Sequence, residues 1–409
     1  MNYRNLKKDN GVFLYKDNSF HTITYNLNFV APKDKKYDPA CDLLEIYMST
    51  LGGFESELDF GKECRRLYDS RFSTNISEVR GERVLTINAD VVAFSEVEDY
   101  SKEFYELFRK FIFEQKFTDE DLLTRVKRQF VATISQSLED TEILAETLLD
   151  QYKNGKTDAD YEYSSDIEFI EKEINKVTLD DLNKVYKEAI SNFHDGLVIG
   201  KISDTEYKSF REMFNLTSEE TRFKAKRRTK DRLNFNKEIK DDETSESTIY
   251  VNYEIGTMTR EQYELLFYIL NSSCGIMHEI LREKYGLVYS SYVDFSNSTN
   301  TFSIVANIDS KNKERLLEAA NEVIELIQSN DKINELLEYA KNEIRREIYL
   351  LDEDKKVLTK TLDAYIERGS LRKDTLLKKI DTITADDITT LTKTLTKKGT
   401  FMYRGTKNE

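Results

Sequence analysis

The side chains that could hold a metal ion are few in this chain, and their spacing does not favour a metal site. Of the three histidines, His21, His194 and His278, none stands four residues from another. The zinc signatures H-E-x-x-H and H-x-x-E-H, which put two imidazoles on one helix face, are therefore absent. Cys274 and His278 have i, i+4 spacing, but a catalytic zinc needs three protein ligands and the spacing indicates no third. A cysteine beside an ordinary histidine is the simpler interpretation.

Motifs for other chemistry are missing as well. The sequence contains no G-x-S-x-G nucleophile motif, and neither G-x-G-x-x-G nor G-x-x-x-x-G-K-[ST] is present to cradle a phosphate. The net charge of −15 opposes nonspecific attraction to nucleic acid, which would require a concentrated basic patch. One basic run, at 222–232, is typical of a solvated segment. We therefore expect no nucleic-acid partner.

Length and composition favour two ordinary domains in a reducing compartment. A chain of 409 residues with 39% hydrophobic content can bury two separate cores. Three cysteines are too few for a disulfide framework. The N-terminal residues lack the apolar core of a signal peptide, and no apolar segment is long enough to span a bilayer. We expect a cytoplasmic protein with no membrane partner.

Two stretches of the chain repeat one another at a fixed offset of 217 residues. The matching pairs are Arg65 and Arg282, Tyr68 and Tyr285, Ile87 and Ile304, and Ala89 and Ala306. Each copy has an alternating strand, an apolar helix, a short helix and two strands joined by a polar turn. Each copy also ends with a helix and a strand, and Thr178 and Thr384 are the expected N-caps of these helices.

This repeat predicts an α+β fold of two tandem homologous domains, each a mainly antiparallel β-sheet packed with helices. We place the N-terminal domain at residues 1–202 and the C-terminal domain at 247–409. The highly charged segment between them, 203–246, is interpreted as an interdomain linker with some helix of its own.

One motif carries the interpretation further. Residues 281–309, "LREKYGLVYSSYVDFSNSTNTFSIVANID", resemble the C-terminal-half signature of the pitrilysin/insulinase (inverzincin) metallopeptidase family. In that family a helix ends in L-R-E-x-x-G-L-x-Y-S and leads into a strand. The tandem repeat is similar to the family's two-lobe plan, so the resemblance covers nearly the whole chain. It implies that this chain forms half of a clam-shell.

The resemblance also implies that the zinc site is degenerate. Active members carry H-x-x-E-H on the helix after the first strand, and a later glutamate completes the site. Here that helix reads D-L-L-E-I, with Asp42 and Ile46 in the histidine places and Glu45 in the place of the glutamate. The segment where the third ligand is expected, 128–135, contains no acidic side chain. Isoleucine cannot donate electrons to zinc, so we expect no metal in this chain and no activity by the chain alone.

Another part of the family's machinery has matching residues. The family's substrate-binding pair, an arginine and a tyrosine seven residues apart, matches Arg282 and Tyr289. In active relatives this pair faces the peptide, where a cation and a phenol hold backbone oxygens and stabilise an oxyanion. The residue types alone leave open a surface arginine and an ordinary strand tyrosine. A peptide is expected to add to a sheet edge, with 72–79 and 288–295 as the candidate strands.

Together these features resemble the non-catalytic subunit of bacterial two-subunit members of the family. The resemblance implies a heterodimer with a zinc-bearing paralogue and a peptide or unfolded-polypeptide substrate, with zinc held by the partner. Residues 67–70 match an L-Y-G-A segment of such subunits, although Asp69 stands where relatives often have glycine. The alternative is a structural, scaffolding or peptide-binding homodimer with no proteolytic role.

Overall fold

The computed structural model divides the chain into two compact units. It describes residues 6–79, 81–154, 166–219, 234, 236–296, 300–350, 358–359, 362 and 373–407. Unit 1 takes the described residues of 1–133, 168–226 and 353–370, and unit 2 takes those of 134–167, 227–352 and 371–409.

Unit 1 is a six-stranded mixed sheet with helices. Its strands are β1 (Leu6–Asp9), β2 (Val12–Lys16), β3 (Thr22–Val30), β4 (Arg71–Val79), β5 (Glu82–Val92) and β6 (Phe193–Gly200). Its helices are α1 (Asp38–Leu51), α2 (Glu57–Arg66), α3 (Ser101–Phe113), α4 (Glu120–Leu138, as far as 133), α6 (Ile167–Lys176, from 168), α7 (Leu179–Ile190) and α8 (Asp204–Phe214). The strand order is β1-β2-β6-β3-β5-β4, so β4 lies at an edge. Of the neighbouring pairs, β2 and β6 are parallel and the others are antiparallel.

Unit 2 repeats this plan with five strands. The strands are β7 (Asn236–Asp241), β8 (Glu246–Glu254), β9 (Val288–Ser296), β10 (Thr301–Asp309) and β11 (Thr396–Gly405). The helices are α5 (Thr141–Asn154), α9 (Arg260–Asn271), a π-helix (His278–Lys284), α10 (Lys313–Ile327), α11 (Asn330–Leu350), α12 (Lys373–Thr382) and α13 (Ala385–Thr392). The order is β7-β11-β8-β10-β9, which leaves β9 at an edge.

The predicted repeat and fold class are confirmed. Strands β4 and β9 begin at Arg71 and Val288, which are separated by the offset that pairs the two sequences. Thr178 and Thr384 form capping boxes at the start of α7 and α13, as their sequence positions predict. Both sheets are mainly antiparallel and both predicted edge strands lie at an edge.

One face of each sheet is covered by apolar side chains from the other half of the sequence. In unit 2 the first half supplies Ala145, Leu148 and Leu149, which pack in one cluster with Tyr250, Val305, Phe401 and Tyr403 of the sheet. In unit 1 the second half supplies Leu358 and Leu362, which pack in one cluster with Phe13, Tyr15, Leu197 and Ile199 of the sheet. Ala145 and Leu362, one from each group, are again separated by the repeat offset of 217 residues.

The compact units therefore differ from the domain bounds expected from sequence. Helix α5 lies within 1–202 but packs in unit 2. The segment 203–246 holds both α8 and β7, which belong to different units. Phe210 of α8 is fully buried, with its ring centroid 5.1 Å from that of Tyr25, and β7 pairs with β11. The bounds 1–202, 203–246 and 247–409 stay a prediction about the organisation of the repeat.

The backbone of the turn after α2 shows why aspartate is tolerated at position 69, where the resemblance implies glycine. Tyr68 and Asp69 have φ angles of 56° and 57°, in the left-handed region. Glycine adopts this region without strain, and aspartate tolerates it better than most residues do. The glycine that the resemblance implies at the place of Asp69 would fit this backbone conformation, and aspartate is tolerated there.

We predict that Asp69→Gly is more stable than Asp69→Ala by about 1 kcal/mol, because alanine is strained in the left-handed region. Urea unfolding followed by circular dichroism measures the difference. At Asp59, inside α2, the order reverses, because glycine disfavours a helix relative to alanine by about 1 kcal/mol. Equal stability of the two Asp69 variants would contradict the proposed conformation.

Candidate functional site

The degenerate zinc motif lies on a well-formed helix. Helix α1 has a proline in its first turn and ends at Gly52, whose φ of 54° suits glycine. Its buried face packs Leu43, Leu44, Tyr47 and Met48 into unit 1. The motif residues lie beside that face and are half-buried: Asp42, Glu45 and Ile46.

Side chains of α1 bind the free edge of β4. The Glu45 carboxylate accepts a hydrogen bond from the Ile76 backbone N–H at 2.9 Å. Ser49 Oγ accepts one from the Thr74 N–H at 3.2 Å. Residues two apart on a strand point their backbone groups the same way, so these are successive outward donors of β4. This part of the edge is therefore occupied by the protein itself.

Partial burial also changes the acidity of Glu45. Burial raises the pKa of its carboxyl group above the usual value, and the hydrogen bond from Ile76 opposes this rise. Among the described residues Glu45 makes no ion pair. The charged form of Glu45 is thus only partly compensated by its surroundings.

A groove of about 450 Å³, here called the Glu45 groove, opens beside α1. Its lining residues are Glu45, Ile46, Ser49, Thr50, Glu57, Phe60, Gly61, Cys64 and Gln129. Gln129 comes from α4 and from the segment 128–135, where the resemblance places the third zinc ligand. The structure therefore brings this segment to the same groove as the degenerate motif, with an amide as its contribution.

These residues do not fit a zinc ion. Ile46 has no donor atom, Gln129 offers only a neutral amide, and Glu45 supplies a single carboxylate. Structural and catalytic zinc sites use at least three nitrogen, sulfur or carboxylate ligands. Across the described residues, no three His, Cys, Asp or Glu side chains lie close enough together to hold a metal. The groove offers no group that would activate a water molecule through a metal.

The predicted substrate-binding pair lies in unit 2, where a π-helix leads into β9. The Tyr285 N–H bonds to the Ile280 carbonyl at 3.1 Å, and Gly286, with φ of 60°, ends the helix. π-Helical turns are rare and often occur at functional sites. This geometry brings Arg282 and Tyr289 into one pocket of about 100 Å³. The other lining residues are Asn271, Ser272, Ser273, Met277, His278, Val288, Ser290 and Ser291.

The polar ends of this pair are available for a ligand. Arg282 is exposed and makes no ion pair within the described part of the chain. Tyr289 is 72% exposed, the most exposed of the large apolar side chains described, and its phenol bonds to none of the described residues. The structure places the two side chains together, and their role in substrate binding stays a prediction.

An asparagine clamps the middle of the β9 edge. The Asn271 side chain accepts a hydrogen bond from the Val293 N–H at 2.7 Å and donates one to the Val293 carbonyl at 3.0 Å. It thereby replaces the partner strand at this residue. Ser291, two residues earlier, points its backbone the same way, towards the pocket, and no described side chain binds it. Sequence reasoning missed this clamp, because an asparagine at a helix end carries no distinct signal.

The comparisons with known proteins agree with this architecture. The family model described as "Peptidase M16 inactive domain" matches residues 176–344. Residues 176–344 therefore resemble an inactive domain of the M16 peptidase family. M16 is the family of pitrilysin and insulinase, so the predicted resemblance is confirmed, and the match supports a non-catalytic member. No curated protein matches the chain in sequence.

Solved structures show that the M16 fold extends over nearly the whole chain. A conserved protein from Enterococcus faecalis V583 is 17% identical, covers 98% of this chain and 97% of its own, and has a TM-score of 0.82. A peptidase M16 inactive domain from Pseudomonas fluorescens is 16% identical, with coverages of 97% and 95% and a TM-score of 0.76. A putative M16-like peptidase from Alicyclobacillus acidocaldarius is 13% identical, with coverages of 97% and 96% and a TM-score of 0.68.

In the described ranges, no helix combines the length and apolar character needed to cross a membrane. The cytoplasmic location, the zinc-bearing partner and the peptide substrate stay predictions.

We predict that Glu45→Gln gains stability relative to the natural chain as the pH rises from about 4 to about 7. The raised pKa means that the folded state holds the Glu45 proton more tightly than the unfolded state does. The stability from this proton is present at low pH and is lost as the pH rises through the folded pKa. Glutamine keeps an acceptor for the Ile76 N–H without a buried charge.

Urea unfolding at several pH values measures this effect. Glu106→Gln, at an exposed position of α3, is the matched control and is expected to show no such pH-dependent gain. A difference between Glu45→Gln and the natural chain that does not change with pH would contradict the prediction.

We predict that Asn271→Asp lowers the free energy of unfolding by about 1 kcal/mol, because it loses the hydrogen bond to the Val293 carbonyl. Asn271→Leu loses both bonds, and light scattering is expected to show more self-association because the β9 edge is then free. Asn342→Asp, on α11, serves as the control. Unchanged stability and scattering in both Asn271 variants would refute the clamp.

Proposed function

We propose that this chain is the non-catalytic subunit of a two-chain zinc peptidase, with the metal supplied by a paralogous partner. The observation that carries the proposal is the Arg282–Tyr289 pocket, which has free polar ends beside an open strand edge. The donor set on α1, in contrast, does not fit a metal. The chain thus has a means to hold a peptide and no means of its own to cleave one through zinc.

The geometry favours β9 as the edge that receives the peptide. An extended peptide adds to a sheet through backbone hydrogen bonds, which give affinity with little side-chain selection. On β4 the outward N–H groups of Thr74 and Ile76 are already bound by side chains of α1. On β9 the Ser291 backbone faces the pocket, and the Asn271 clamp limits pairing beyond it at Val293. The docked peptide would therefore pass directly by Arg282 and Tyr289.

The two side chains have complementary roles in this proposal. Arg282 is a permanent cation with several fixed donors, and Tyr289 carries one hydroxyl donor. Both suit backbone carbonyl oxygens of a bound peptide. When the partner's site attacks one of these carbonyls, donors placed at the developing oxyanion stabilise it. The same arrangement without a catalytic partner would make a peptide-binding or scaffolding protein, which the cleavage experiment distinguishes.

We predict that peptide cleavage appears only when this chain is mixed with a zinc-bearing paralogue. Arg282→Ala or Tyr289→Phe is expected to reduce turnover by about 10²-fold or more, as for the loss of an oxyanion donor. The measurement is cleavage of a quenched fluorescent peptide by each chain alone and by the mixture.

Matched controls are Arg346→Ala and Tyr339→Phe, which change an exposed arginine and an exposed tyrosine of α11. They are expected to leave turnover unchanged. Chelator-sensitive cleavage by this chain alone would refute the proposal, as would a mixture that cleaves equally well with both pocket variants. If no mixture cleaves but peptides bind, the scaffolding alternative is favoured.

A further inference from the structure

The Glu45 groove combines the volume of a ligand site with a carboxylate that has no cationic partner among the described residues. Its volume of about 450 Å³ falls in the range of small-ligand sites, although its residues do not fit zinc. Within the described residues, the Glu45 carboxylate accepts one hydrogen bond, from Ile76, and has no cationic partner. A partly buried carboxylate with so little compensation attracts a positive group.

The other walls of the groove suit a long cationic side chain. Ile46 and Phe60 give apolar surface for an aliphatic stem, as the stems of lysine and arginine pack on apolar walls while their charged ends stay polar. Thr50 donates its hydroxyl proton to the Ile46 carbonyl, so its oxygen can still accept a hydrogen bond in the groove. Replacing a histidine ligand by Ile46 therefore removes a metal donor and adds a wall for a hydrocarbon stem.

The negative charge of the protein as a whole also favours a cationic ligand. Glu57 lines the groove and pairs with the exposed Arg125 at 3.1 Å, so its carboxylate is only weakly held. The net charge of −15 raises the local concentration of cationic ligands around the protein. Backbone pairing with β4 is blocked at Thr74 and Ile76, so recognition here must come from a side chain.

We propose that the Glu45 groove binds the lysine or arginine side chain of a peptide, with Glu45 as the counter-ion and Ile46 and Phe60 against the aliphatic stem. The site lies in unit 1, whereas the Arg282–Tyr289 pocket lies in unit 2. The inference rests on the proposed function only in taking the ligand to be a peptide. It gives the chain a preference for basic residues.

Fluorescence polarisation with labelled five-residue peptides tests this site on the full chain without a partner. The peptides carry arginine, lysine, citrulline or norleucine at the central position among alanines. The arginine and lysine peptides are expected to bind about tenfold more tightly than the two neutral peptides, since bonds between charged groups contribute more than neutral ones. Glu45→Gln is expected to remove this difference, and Glu106→Gln to preserve it. Equal binding of arginine and citrulline peptides would overturn the proposal, as would a preference that survives in Glu45→Gln.

A second measurement does not depend on a variant. Cys64 lines the groove, whereas Cys274 is an exposed cysteine of unit 2. The arginine peptide is expected to slow labelling of Cys64 by a neutral thiol reagent severalfold and to leave Cys274 unaffected. Unchanged labelling of Cys64 at saturating peptide would refute binding in the groove. The cleavage experiment reads turnover at Arg282 and Tyr289, so failure there and failure here are distinguishable.

Discussion

Burial of both faces of each sheet is the constraint on which the rest of the structure depends. A sheet with two apolar faces must be covered on both, or its side chains stay in water. In unit 2 one face packs against α9, α10 and α11, and the other packs against α5. Because α5 comes from the first half of the sequence, that half completes the core of unit 2. Leu358 and Leu362 do the same for unit 1 from the second half. The core of each unit therefore contains residues from both halves of the sequence.

The same constraint explains why α1 persists as a helix without its metal ligands. Leu43, Leu44 and Tyr47 are fully buried, so their packing holds the helix whatever its exposed face carries. Glu45 also has a structural use, since its carboxylate binds the Ile76 N–H at the β4 edge. A glutamate at the place of the family's catalytic glutamate is thus accounted for without catalysis. The helix that holds zinc in active relatives here closes a sheet edge.

The edge strands β4 and β9 differ in which of their backbone groups are covered by side chains. In unit 1, side chains of α1 cover successive donors of β4, and the adjacent groove is acidic. In unit 2, Asn271 covers Val293, and the neighbouring part of β9 opens beside the cation of Arg282. Since an uncovered edge pairs with other strands, covering one edge while leaving part of the other open restricts where a peptide can add.

The sequence by itself determined the repeat, most elements and the missing chemistry. Alternation and helical periodicity are local, and so are caps such as Thr178, which depend on residues three apart. The absence of paired histidines is visible in the residue types alone. Only the tertiary structure decided that α5 completes unit 2, that Gln129 reaches the Glu45 groove and that Asn271 clamps Val293. An apolar face shows that a segment must be covered and not which segment covers it, and a side-chain bond between distant residues leaves no periodic trace in the sequence.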